Sequence, residues 1–357
     1  IVNNAFTFTS ATDDARCQYN YAYAPGSFTN GTLSPTNNPI DVWAKQYQNI
    51  RKVNNLLVHI DGVPPSDDPN KKDGKTRIKG EAYFLRAFFY LELYKRYGAV
   101  PIVKYPLAID DNLNIARSTD DELVSFIVSD CDSAALLLPL TYTADNLGRA
   151  TRGAAMMIKA TTLLFSASPL HNEQNNQEKW VQAAKAAKAV MDLQTYHLAD
   201  NYKNMLHSRT SPGTIFQSTI NQVWQVTPND WVRIMQPPSQ GGGWANTQPL
   251  QNLVDEYEMK NGLPITDPLS GYSPDDPYKD RDPRFYQTVI YNGCKWAGST
   301  INTYVGSGVD GLNYKTGSTQ TGYYMGGKML DENSTLISSY RPGSHFWVFM
   351  RYAETLL

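Results

Sequence analysis

Apolar side chains recur at helical spacing from residue 41 to about 195, and beyond that the spacing breaks up. In "DVWAKQYQNIRKVNNLLVHI" (41–60), Val42, Trp43, Tyr47, Ile50, Val53, Leu56 and Leu57 share one face, and Asp41 stands where an N-cap belongs. A loop rich in Pro, Asp and Gly follows at 63–74. Then comes "RIKGEAYFLRAFFYLELYKRYGAVP" (77–101), in which only Arg86, Glu92, Lys95 and Arg96 are charged between Ala82 and Tyr97. Gly98 and Pro101 mark its end. Further helices are predicted over 118–139, with Ser118 or Thr119 as cap and Asp120, Asp121 and Glu122 at the positive end of the dipole, over 151–169 and over 176–194.

A helix that is apolar nearly all round must bury more than one face. Ala82, Leu85, Arg86, Ala87 and Leu91 match Ala155, Ile158, Lys159, Ala160 and Leu164 at a constant offset of 73 positions. That is about twice the length of a tetratricopeptide-type helical hairpin, so two hairpins are expected to span it. A buried helix in a bundle without repeats is the alternative on pattern alone. Residues 200–346 are dense in Gly, Pro, Asn, Ser, Tyr and Trp, with short apolar runs such as "TIFQSTI" and "RFYQTVIY". They predict ordered loops with small strands, and long ordered loops are usually functional.

Composition narrows the function classes. A net charge of −2 over 357 residues gives no electrostatic case for nucleic acid or an anionic membrane. Aromatic residues make up 12%, with 23 Tyr and 7 Trp, which suit surfaces half wet and half apolar. No apolar run is long enough to span a bilayer. The opening "IVNNAFTFTSATDD" lacks the pattern of a signal peptide. Cys17, Cys131 and Cys294 form no CxxC, so neither a disulfide framework nor a zinc site is indicated.

Motifs of catalysis fail one after another. "GKT" (74–76) lacks the glycine a phosphate loop needs five residues earlier, where Pro69 stands. There is no H-E-x-x-H and no G-x-S-x-G. His59, His171, His197, His207 and His345 have no ligand spacing, and "DDPYKDRD" (275–282) lacks the glycine and terminal glutamate of a calcium hand. No cofactor or metal is expected. Carboxylates are numerous, so a glycosidase pair stays open without any residue being singled out.

A family resemblance rests on seven collinear segments. "RIKGEAYFLRAFFYLELYKRYGAVPIV" resembles the signature helix of the SusD/RagB family. Trp43, Tyr47, Ile50 and Asn54 match the helix before it, and "ATRGAAMMIKA" (150–160) is similar to a later one. "LVDEYEMKNGLPITD" (253–267), "YKDRDPRFYQTVIYNG" (278–293), "TGYYMGGK" and the terminal "RYAETLL" resemble further family segments in family order. The resemblance implies a mainly α fold, a tetratricopeptide-like scaffold with a large irregular insert containing short strands. It implies one domain, with the scaffold at 41–195, the irregular ligand-binding region at 196–346, and the start of a further helix at 347–357 whose following repeats are expected to be missing. It implies a non-enzymatic surface lipoprotein of the outer membrane. Such proteins bind glycan and pass it to a SusC-like TonB-dependent transporter. The N-terminal cysteine that carries the family's lipid is not found here.

The family offers no ligand motif to carry over, so candidates are weighed one by one. A stacking ring must be wet and on a loop. Trp43, Trp180 and Trp347 read as core, and Trp224 as packed. Trp244 in "SQGGGWANTQP" is the most loop-like; Trp231, Trp296 and Tyr23 follow, the last beside Phe28 and Asn30 in "NYAYAPGSFTNGT". A loop Trp is more often an anchor than a platform. Asn30, Asn246, Gln240 and Arg233 are candidate hydrogen-bonding partners. Arg281, Asp282 and Arg284 read as an internal salt-bridge knot. Uptake of peptide ligands and a glycan hydrolase are the competing functions, the second needing two carboxyls across one cleft, and a repeat scaffold that binds protein is the blandest.

Overall fold

The computed structural model describes residues 9–17, 28–64, 74–206, 208, 210–218, 235–312, 321–327, 330, 332–333 and 347–357. The chain divides into two compact units. One, helical, takes Asp41–Leu198, Pro212–Thr219 and Val348–Leu357; the other, loop-rich, takes Ile1–Ile40, Ala199–Ser211 and Ile220–Trp347. The helical unit therefore includes a piece at 212–219 that the sequence reading left in the irregular region.

The helical unit runs α1 (Trp43–His59), α2 (Gly74–Tyr97), α3 (Asp120–Leu137), α4 (Arg152–Ala167) and α5 (Gln177–Met191). Each packs on its neighbour in sequence. Polar caps start three of them. Thr119 and Glu122 form a reciprocal capping box on α3, Thr151 Oγ1 accepts from Ala154 N, and Asn176 accepts from Glu178 N. The cap residue of α1 is Val42 rather than Asp41, although the Asp41 carboxylate still accepts from Trp43 N at 3.1 Å. α2 stops where Gly98 turns to φ +68° and its N–H returns to Tyr94 O.

The apolar girth of α2 is explained by neighbours on three sides. Tyr90 meets Tyr47 of α1 and Phe126 of α3, with centroids 6.4 and 5.2 Å apart. The third side takes Phe216 of β2 (Thr214–Ser218) against Phe84, at 4.9 Å, and Phe349 of β8 (Trp347–Arg351) against Phe88, at 5.8 Å. β2 pairs with β8, and α8 (Tyr352–Leu356) follows. One arginine crosses this core. Arg86 is 7% exposed and forks onto Asp130 of α3 at 2.7 and 2.8 Å. It also donates to Asn54 Oδ1 of α1.

The offset of 73 residues is one helical hairpin and not two. Only α3 lies between α2 and α4, and the long connections 98–119 and 138–151 supply the extra length. The repeat nevertheless extends to a glycine pair at the same offset, Gly80 and Gly153. A Cβ on Gly80 would lie 3.0 Å from Leu137 and Leu138, and one on Gly153 would lie 2.3 Å from the Tyr196 hydroxyl. Glycine permits these close approaches.

The loop-rich unit holds two-residue and three-residue strands. β1 (Ala15–Cys17) pairs antiparallel with β3 (Thr247–Pro249), β4 (Val289–Ile290) with β7 (Tyr324–Met325), and β5 (Lys295–Trp296) with β6 (Ser299–Thr300). Short helices α6 (Gln251–Glu256) and α7 (Pro283–Thr288) lie in it. Two small apolar clusters hold it, one around Trp296, Ile301, Tyr324 and Leu330, the other around Val254, Phe285 and Val289. The expected knot of charges is split. Asp282 caps α7 and pairs with Arg284. Arg281 is 1% exposed and donates instead to the carbonyl of Pro277 and to those of Val254 and Tyr257, the last two at the C-terminal end of α6 where the helix dipole favours a cation.

Candidate functional site

The loop from Met235 to Leu250 presents the most loop-like tryptophan on a stiff frame. β3 ties its far end to β1, with Arg16 opposite Gln248 and Cys17 opposite Thr247. Ala245 N donates to Gln236 O at 3.1 Å, and Gly242 N to Pro238 O at 3.0 Å. Gly241, Gly242 and Ala245 all stand at positive φ, +71°, +76° and +48°. At Gly243 the chain passes so close to its own start that a Cβ would sit 2.3 Å from Gln236 O and 2.5 Å from Pro237 O. Trp244, half-buried, is therefore held between backbone segments that cannot easily shift.

The other candidates divide. Asn246 is fully buried, and its Oδ1 accepts from the Cys17 thiol at 3.4 Å. Gln240 is 4% exposed and donates to Ser239 Oγ. Trp296 is 4% exposed inside the apolar cluster with Ile290 and Ile301, so its ring has no wet face to offer. The turn before Trp296 suggested exposure, and the β5–β6 pairing folds the ring inward instead. Asn30 is exposed, with Oδ1 accepting from Thr32 N and Thr32 Oγ1 in a local turn. Trp231, Arg233 and Tyr23 lie outside the described residues, as does Trp224. Trp43 and Trp180, read as core from helical spacing, are 37% and 36% exposed. Trp43 opens the first turn of α1, and Trp180 lies on the Ala183 side of α5, lining an open groove with Leu164 of α4 and Thr355 of α8.

Tyr304 is an exposed loop aromatic that the sequence reading did not single out. It is 57% exposed on the loop between Asn302 and Leu312, in "NTYVGSGVDGL". The signal that could have found it is the one that singled out Trp244, an aromatic ring flanked by glycines.

The chemistry of the described residues is that of packing and hydrogen bonding. Among them no group of His, Cys, Asp or Glu is placed to hold a metal ion. Burial pushes the Asp310 and Asp130 carboxyls above the usual range, and each is engaged internally, Asp310 by Ser239 N and Asp130 by Arg86. Burial likewise raises Tyr323, and Tyr291 to about 12, and the Tyr323 hydroxyl donates to Gln251 Oε1 at 2.8 Å. No helix of the described residues is long and apolar enough to cross a membrane.

The helical hairpins and the loop-rich unit both have counterparts among known proteins. The family model described as "SusD family" matches residues 190–357, and that described as "Starch-binding associating with outer membrane" matches 2–164. The chain belongs to the SusD/RagB-like family. SusD-like protein P25 of Formosa agariphila is 24% identical over 186 residues, which are 52% of this chain and 31% of that one. SusD-like protein P38 of the same organism is 32% identical over 93 residues, 26% of this chain and 17% of that one. The matches thus span less than a third of each curated relative. Among solved structures, a SusD-like protein and a SusD-like carbohydrate binding protein, both from Bacteroides fragilis, superpose with TM-score 0.80. They are 26% and 25% identical; 98% of this chain is covered in each case, with 69% and 66% of theirs. A laminarin binding SusD-like protein shares the fold at TM-score 0.69 and 20% identity, over 98% of this chain and 73% of its own.

Proposed function

We propose that this protein binds a polysaccharide or oligosaccharide at the outer surface of an outer membrane, does not cleave it, and delivers it to a SusC-like TonB-dependent transporter. It would be held there by an N-terminal lipid. Family membership, and the carbohydrate binding named for the relative of 25% identity, support the ligand class. The observation that carries the site is Trp244, on a loop whose backbone is fixed by Gly243 and by the β1–β3 pair. A sugar stacks its apolar face on such a ring, and a platform that needs no ordering on binding keeps the affinity that ordering would cost.

Isothermal titration of the purified chain against laminarin, amylopectin, pullulan and xylan tests the reading, with Trp244→Ala alongside. Saturable binding to one of them, lost in Trp244→Ala, with no reducing sugar released over hours, is the expected result. Release of reducing sugar overturns the non-catalytic reading. Binding unchanged in Trp244→Ala removes the site.

A further inference from the structure

We infer that Tyr304 is a second ligand-contacting ring and that Asp310 sets its position relative to Trp244; this rests on the glycan reading above. The Tyr304 loop is built like the Trp244 loop. Leu312 N closes it onto Thr303 O at 3.0 Å, Ser307 Oγ donates to Asn302 O at 2.6 Å, and Gly311 N donates to Gly308 O at 2.9 Å. Gly306 and Gly308 stand at φ +84° and +107°. At Gly311 a Cβ would lie 2.8 Å from Tyr304 O and 2.7 Å from Ser307 Oγ, so the loop closes tightly beneath the ring. Thr303 N is fixed from below by Asn292 Oδ1 at 2.9 Å. Above this frame Tyr304, Val305 and Val309 are 57%, 68% and 40% exposed. An ordered loop that spends its polar groups inward and turns a tyrosine and two valines outward is the pattern of a recognition surface.

The two loops meet at one carboxylate. Asp310 is 6% exposed; its Oδ1 accepts from Ser239 N at 2.9 Å, five residues before Trp244, and its backbone oxygen accepts from the Tyr324 hydroxyl at 2.9 Å. A buried carboxylate in the loop-rich unit is costly unless a donor satisfies it. Here the donor is the backbone of the other aromatic loop, so side-chain chemistry joins two segments 71 residues apart. Asp310 touches no ligand in this reading. It is a positioning residue, and the rings are the contacts.

The test uses affinity electrophoresis and titration on the polysaccharide bound in the panel of laminarin, amylopectin, pullulan and xylan. Tyr304→Ala, at an exposed position, is expected to leave the thermal midpoint unchanged and to weaken binding by about tenfold or more. Asp310→Ala is expected to weaken binding similarly while the tryptophan emission maximum moves, and Asp310→Asn, which keeps an oxygen to accept from Ser239 N, to recover most of the affinity. Wild-type affinity in Tyr304→Ala overturns the inference. If Trp244→Ala still loses binding in that case, the glycan reading stands without it. Equal losses in Asp310→Ala and Asp310→Asn, with the fluorescence unmoved, overturn the positioning role. Failure of every polysaccharide to bind overturns both readings together.

Discussion

Replacing Asp130 with alanine should be the most damaging single change in the helical core. Arg86 is held by two parallel bonds to Asp130, by Asn54 Oδ1 and by a longer contact to Lys104 O, with its guanidinium 5.0 Å from the Phe126 ring centre. Removing the carboxylate strands the Nε and Nη2 donors of a cation that is 7% exposed. Each stranded buried donor costs about 1–3 kcal/mol, and breaking a buried pair costs about 3–5 kcal/mol. We therefore expect a loss near 4 kcal/mol, or about 8–16 °C in thermal midpoint for a unit of this size. Urea unfolding followed by far-ultraviolet circular dichroism measures it. Replacing both partners with apolar residues, Arg86→Met with Asp130→Leu, should recover much of the loss, less what Asn54 forfeits. A loss below about 1 kcal/mol in Asp130→Ala would refute the reasoning, since water or rearrangement would then be satisfying the guanidinium.

Other expectations follow from the same structure. Gly80→Ala should gain up to about 1 kcal/mol in helix propensity, yet lose overall, because the new methyl meets Leu137 and Leu138 at 3.0 Å; the urea midpoint reads the sign. Gly243→Ala should displace Trp244, since the methyl meets backbone oxygens rather than a movable side chain, and glycan affinity together with near-ultraviolet dichroism will show it. Thr119→Ala should cost about 1 kcal/mol by removing the capping box of α3, as seen in thermal denaturation. The Thr119 N–H and hydroxyl hold the Glu122 carboxylate below its usual range. A depressed folded pKa gives stability that is present above the unfolded value of about 4.3 and is lost as pH falls through the lower folded value. The gap in thermal midpoint between wild type and Glu122→Gln should close as pH drops below about 4.

Helix positions were legible because their signals are local. Thr119, Thr151 and Asn176 stand at caps and Gly98 at a stop, and these effects act within one turn. The repeat of α2 in α4 was legible too, but its period was misread, because connection length leaves no mark on the helices it joins. Trp43 and Trp180 were misread for a related reason. Helical spacing shows that a residue shares a face with others and leaves open whether a neighbour covers that face. The loop position of Trp244 was legible, because three glycines mark a constrained turn. Trp296 has an equally loop-like sequence and is buried, because a hairpin of six residues, Lys295–Thr300, turns its ring inward.

What the sequence by itself determined is therefore the five long helices, the cap of α3 and the stop of α2, and, through seven collinear segments, the family. Each depends on neighbours along the chain or on a pattern read position by position. What only the tertiary structure decided is which apolar faces find partners and which loops meet. Phe216 and Phe349 cover α2 from positions more than a hundred residues away, Arg281 ends among carbonyls instead of carboxylates, and Asp310 accepts the amide of Ser239. Burial and hydrogen bonding between segments far apart are properties of the closed chain, because the free energy of each contact depends on what else excludes water from the same place.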